Sequence, residues 1–247
     1  MRRRKVPAQN GVTNLLTTIC FDADDTLWHN ERFFQLTQDR FFELLADHAE
    51  ANDLAERLLE AERRNLGHYG FGIKGFVLSM IETALDVTDE RVPGHVVRDL
   101  ISAGQDMLSH PIELLPGAQE AVEDLSTKYQ LLLITKGDLL DQERKLAQSG
   151  LGEMFDGVEI VSDKTVDVYT DIFQRRRILP DTALMVGNSL KSDVIPALDA
   201  GGWGVHVPHD LTWQLEHANA PRGHQRYRQI DTLAELSAAI NEIENQT

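Results

Sequence analysis

Five short apolar runs, separated by stretches with helical spacing, constrain this chain more than any other feature. Leu15–Phe21 (LLTTICF), Tyr129–Ile134 (YQLLLI), Gly157–Val161, Thr182–Val186 and Trp203–Val207 show no regular two-residue alternation of apolar and polar side chains. A strand wetted on one face alternates, whereas a strand covered on both faces does not. Buried strands that alternate with helices predict an α/β fold, a Rossmann-like three-layer α/β/α core built on a parallel sheet.

One segment breaks that rhythm. From Phe33 to His110 the chain is rich in Leu, Ala, Glu and Arg, with helical spacing such as Val96, Val97, Leu100, Ile101, Met107 and Leu108, and no strand. The pattern predicts an inserted all-helical domain of three or four helices over residues 33–110, with the core formed by residues 1–32 and 111–247. Within the insertion, Gly67–Gly75 reads as a loop. It is either a flexible specificity loop that brings Tyr69, Phe71 or Lys74 to a ligand, or a connector with its aromatics packed inside. Past the last buried run, residues 209–228 read as a polar loop with a short helix, and residues 231–245 as a closing amphipathic helix.

Composition narrows the function. A formal charge of −16 over 247 residues argues against a nucleic-acid backbone as partner. No apolar run is long enough to span a membrane, and the single cysteine, Cys20, has no partner within the chain. Met1–Lys5 carry four basic residues but no apolar segment follows, so this start reads as a solvated arm rather than a secretory signal. Together these features predict a cytoplasmic protein. The nine histidines show no HxxxH or HExxH spacing, and zinc is not indicated.

In open parallel sheets, ligands bind beyond the carboxyl ends of the strands. The residues at those ends are Asp22, Asp24, Asp25 and Thr26, then Thr135 and Lys136, then Asp163 and Lys164, then Asn188, Ser189 and Asp193. Singly, each would be a solvated turn or a surface charge. Collected on one rim, carboxylates, a hydroxyl and lysines make a site for a metal and an anion.

These motifs resemble the haloacid dehalogenase superfamily, specifically its phosphatase branch with a helical cap after the first strand. DADDTLW (Asp22–Trp28) is similar to the opening motif DxDxT[LV]; ITKGD, through Thr135, to the second; Lys164 to the third; and GNSLKSD (Gly187–Asp193) to the fourth. The resemblance implies a hydrolysis of a small phosphorylated metabolite in which Asp22 is the nucleophile and Asp24 the general acid and base. It implies Mg²⁺ held by Asp22, the Asp24 backbone carbonyl, Asn188 and Asp193, with Thr135 and Lys164 binding the phosphate. Two departures stand out. Asn188 occupies a position more often Asp, and Lys164 is not followed by proline, which leaves Lys136 as a rival phosphate ligand. The same resemblance leaves a phosphomutase, a dehalogenase and a non-catalytic binding protein as alternatives. Against the dehalogenase stands Asp24, because a halide leaving group needs no proton.

Overall fold

The computed structural model describes residues 15–245, so the basic arm Met1–Lys5 lies outside the described residues. Six parallel strands form one sheet in the order β3-β2-β1-β4-β5-β6. They are β1 (Thr18–Phe21), β2 (Gln130–Lys136), β3 (Gly157–Val161), β4 (Ala183–Gly187), β5 (Trp203–His206) and β6 (Tyr227–Gln229). Successive side chains of a strand point to opposite faces, and the core divides accordingly. Ile19, Phe21, Leu131, Leu133, Leu184 and Val186 pack with α5 (Ala118–Ser126) and α9 (Leu236–Glu244) on one face. Their neighbours Cys20, Leu132, Ile134 and Met185 pack on the other face with Tyr169, Ile172 and Phe173 of α7 (Val166–Arg176). Apolar residues therefore dominate both faces of the central strands, and alternation is absent where two faces are covered.

Chain order reverses direction across β1. The chain steps outward from β1 to β2 and β3, then returns to place β4 on the other side of β1. Such a switch point leaves a crevice at the carboxyl ends of the strands. Asp22 closes β1 there, its amide bonded to the Val186 carbonyl at 2.9 Å.

Between β1 and α5 lie four helices, α1 (Glu31–Leu45), α2 (Ala51–Tyr69), α3 (Ile73–Val87) and α4 (Gly94–Ser109). They have a core of their own, including Phe41, Leu58, Phe76, Met80, Leu100 and Met107. The predicted Gly67–Gly75 loop is shorter than the glycines suggest: only residues 70–72 separate α2 from α3. Gly67 is absorbed into α2 at a cost of about 1 kcal/mol relative to Ala. A Cβ at Gly75 would stand 3.1 Å from the Gly70 carbonyl oxygen, so this glycine permits the tight return of α3 against the connector.

The polar stretch 209–228 is also more ordered than its composition predicts. A short 3₁₀ turn covers Gln214–Glu216, as expected for a short helix, but Tyr227–Gln229 form the edge strand β6. Three residues, with only Tyr227 buried, leave too little pattern to distinguish an edge strand from a loop. Among the described residues no helix is long and apolar enough to cross a membrane.

Candidate active site

The rim residues converge. Asp22, Asp24, Thr135, Lys136, Lys164, Asn188 and Asp193 all line one cavity of ≈ 170 Å³ between the sheet and the inserted helices. At its floor the Lys164 ammonium bridges two carboxylates, 2.5 Å from Asp22 Oδ1 and 2.7 Å from Asp193 Oδ1. All three side chains are almost fully withdrawn from solvent. Burial disfavours the charge on Lys164, but Asp193 and Asp22 outweigh it and hold the ammonium above its ordinary value. Burial and the charge of Asp193 push Asp22 up to about 7, against the opposing pull of Lys164. One ammonium thus serves two buried carboxylates, and the floor is one positive charge short.

Local structure explains how the floor is held. Thr26 Oγ1 donates to Asp22 Oδ2 at 2.9 Å and accepts the Asn188 amide at 3.1 Å, tying the first motif to the fourth. Asp193 sits in a π-helical turn, Leu190–Val194, and accepts the Ser189 amide at 2.9 Å. Gly187 makes this approach possible, because a Cβ there would run into the Asp193 carboxylate. Thr135 is 1% exposed at the end of β2. Asp22, Asp193, Asn188 and the Asp24 carbonyl offer only hard oxygen donors. Among the described residues no group of three or more His, Cys, Asp or Glu is arranged to hold a metal. Two carboxylates that share one ammonium, with neutral oxygen donors beside them and water to complete the shell, nevertheless fit a hard cation such as Mg²⁺.

Asp24 lives in a different environment. Its carboxylate accepts from Trp28 Nε1 at 2.7 Å, Gln142 Nε2 at 2.9 Å and Lys145 Nζ at 3.0 Å to each oxygen. Lys145, on α6 (Leu139–Ser149), also donates to Asn30 Oδ1 at 2.7 Å and lies 3.4 Å from Asp141. Burial opposes its charge, but Asp24 and Asp141 prevail and hold it above the ordinary value. Asp25, at φ +59°, turns back to accept the backbone amides of Asn30 and Glu31, both at 2.9 Å. It thereby places a carboxylate at the N-terminus of α1.

Lys136 lines the same cavity with partners of its own. It is paired with Glu216 at 2.5 Å, donates to Ser192 Oγ at 2.8 Å and lies 3.9 Å from the centre of the Phe71 ring. Glu216 also accepts from Ser189 Oγ at 2.6 Å and Ser192 Oγ at 2.5 Å. Burial works against its charge, but Lys136 and these hydroxyls hold its carboxyl below the usual range. Sequence reading missed Glu216, Lys145 and Gln142, because none stands at a strand end and their partners are distant in the chain.

The roof comes from the insertion. Glu31, Phe34 and Gln38 of α1, Glu62 of α2 and the connector residue Phe71 line the same cavity, and Trp213 reaches it from the core. Trp213 Nε1 donates to Glu62 Oε2 at 3.3 Å and its ring meets Phe71 edge to face at 6.1 Å. Tyr69 instead donates to Glu82, and Lys74 pairs with Asp138 at 3.3 Å, so Phe71 is the connector aromatic that lines the cavity. Burial, then the charges of Asp25 and Glu62, push the Glu31 carboxyl up to about 8. Burial pushes Glu62 up to about 7 despite its bond from Trp213.

Comparison with known proteins agrees with this architecture. Residues 16–201 match the haloacid dehalogenase-like hydrolase family. A haloacid dehalogenase-like family hydrolase from Xanthomonas campestris is 34% identical, with a TM-score of 0.86 over 98% of this chain and 96% of that one. The magnesium-bound HAD-hydrolase YfnB from Bacillus subtilis shares the fold at a TM-score of 0.66 and 19% identity, over 92% of this chain and 99% of that one. A glyceraldehyde 3-phosphate phosphatase from Methanothermobacter thermautotrophicus is 24% identical over 92% of this chain and all of its own length. This chain belongs to the haloacid dehalogenase-like hydrolases.

Proposed function

We propose that this hydrolase is a magnesium-dependent phosphatase that cleaves small phosphate monoesters through an aspartyl-phosphate on Asp22, with the inserted helices as its cap. The observation that carries this reading is the convergence of Asp22, Asp24, Thr135, Lys164, Asn188 and Asp193 on one cavity at the carboxyl ends of the strands. Carboxylates, a hydroxyl and a lysine gathered there suit a metal and a phosphate together.

Asp22, backed by Lys164, attacks phosphorus as the ester P–O bond breaks. Asp24, once it has released Lys145 and taken up a proton from solvent, gives that proton to the departing alkoxide, then accepts one from the water that cleaves the aspartyl-phosphate and releases inorganic phosphate. Its carboxylate is engaged by Lys145, Gln142 and Trp28, so reaching the leaving oxygen means exchanging those donors for substrate. Thr135 and Lys164 hold the equatorial phosphate oxygens, with Lys136, paired to Glu216, lining the same cavity. Mg²⁺ would be held by Asp22, the Asp24 carbonyl, Asn188 and Asp193, and would supply the missing positive charge opposite the phosphate.

Relatives support the reading from outside: one is a phosphatase, and a structural neighbour is bound to magnesium. The cavity's ≈ 170 Å³ favours a substrate of few carbons. A dehalogenase would leave Asp24 without a task. A mutase shares the first step, and release of free phosphate separates the two. The test is phosphate release from an aryl phosphate, with magnesium and with a chelator. Magnesium-dependent release supports the phosphatase; release unaffected by the chelator removes the metal from the proposal.

A further inference from the structure

The roof of the cavity carries information about the leaving group. Three lysines line the cavity, and each is committed: Lys164 to Asp22 and Asp193, Lys145 to Asp24 and Asp141, Lys136 to Glu216. Among the described lining residues there is no arginine or histidine. Glu31 and Glu62, in contrast, face the cavity with no cationic partner among the described residues. Beside them stand the aromatic rings of Phe34, Phe71 and Trp213. A second, independent feature points the same way. Gln142 is 3% exposed and its amide nitrogen donates to Asp24 and to the Lys136 carbonyl, which fixes the amide orientation. Its Oε1 is left buried without a donor, as is Asp138 Oδ2, and both residues line the cavity. The unsatisfied groups of the cavity wall are acceptors, and buried acceptors without partners are rare.

We propose, resting on the phosphatase reading above, that this cavity selects phosphate monoesters whose leaving alcohol bears a protonated amine. An ammonium supplies donors for the orphaned acceptors and a charge for Glu31 and Glu62, and it is attracted to the face of an aromatic ring. Trp213 acts as a positioning residue, since its indole bond orients Glu62. A carboxylate or second phosphate on the leaving group would meet like charge and no free cation.

Three near-isosteric esters test this on the full chain with magnesium: 2-aminoethyl phosphate, 2-hydroxyethyl phosphate and phosphoglycolate. The expected order of kcat/KM is amine, then hydroxyl, then carboxylate, with the first exceeding the last by about 100-fold. In Glu31→Gln and in Glu62→Gln the amine-to-carboxylate ratio falls by roughly ten-fold. Aryl phosphate hydrolysis serves as the control for the chemistry. With that control active, a carboxylate or hydroxyl ester that equals or exceeds the amine overturns the proposal, and so does a ratio unmoved in both variants. An enzyme that cleaves neither the aryl ester nor any of the three fails the phosphatase reading, and the amine preference falls with it.

Discussion

The floor and the roof of the cavity handle charge in opposite ways. On the floor, every lysine meets carboxylates at hydrogen-bond distance: Lys164 between Asp22 and Asp193, Lys145 on Asp24. On the roof, Glu31 and Glu62 are half-buried without a cation among the described residues, and both are pushed toward neutrality. The floor is built for a fixed reaction and holds its groups whether or not substrate is present. Unbalanced carboxylates on the roof wait for a ligand that completes them. On the proposed reading, the sheet carries the chemistry and the inserted helices carry the selection.

That contrast can be broken by removing charges one at a time. Asp22→Asn, which swaps the attacking carboxylate for a carboxamide, is expected to lower aryl phosphate turnover by about 10³-fold or more while circular dichroism stays native. Residual turnover near the wild-type rate would move the nucleophile elsewhere. Lys145→Met tests the pairing of the floor. It takes the ammonium from Asp24, which keeps Trp28 and Gln142 as donors, and from Asp141, which keeps Arg144. The cost therefore stays below the roughly 3–5 kcal/mol of breaking a fully buried pair and reads as a lower midpoint in urea. A loss within experimental error would mean that Lys145 is not needed to balance Asp24.

Removing a roof charge should do the reverse. The carboxyls of Glu31 and Glu62 titrate near 8 and 7 in the folded chain against an ordinary 4.5. Below pH 4.5 both the folded and unfolded forms hold the protons. As pH rises, the unfolded chain releases them first, so each group removes stability progressively until pH passes its folded value. Glu31→Gln and Glu62→Gln therefore gain thermal stability over wild type, with a larger gain at pH 8.5 than at pH 5. Equal gains at both pH values would place these carboxyls in water rather than in a dry roof.

The same division explains what was legible in the sequence. Floor residues lie at the ends of apolar runs, and a run that stops at Asp22, Thr135 or Asn188 marks a strand end by local pattern alone. The three-layer core and the helical insertion follow from period and composition in the same way. Lys145 and Gln142 sit on a helix face that reads as solvated, yet both are buried and bonded to Asp24, in the loop that follows β1. Glu216 and Trp213 occupy a polar loop whose partners, Lys136 and Glu62, are far away in the chain. Tertiary contact, not local pattern, makes them part of the site. Gly75 misleads for a related reason: a helix tolerates glycine where another segment approaches closely, whereas Gly67 stands in open space and is simply carried by its helix.

The most direct test of the account is the covalent intermediate itself. Chain mixed with a rapidly cleaved phosphate ester and magnesium, quenched in acid and digested, should show one added phosphoryl mass on the peptide that contains Asp22. The Asp22→Asn chain should show none. Phosphate release without that adduct, or an adduct that persists when Asp22 is replaced, would contradict it.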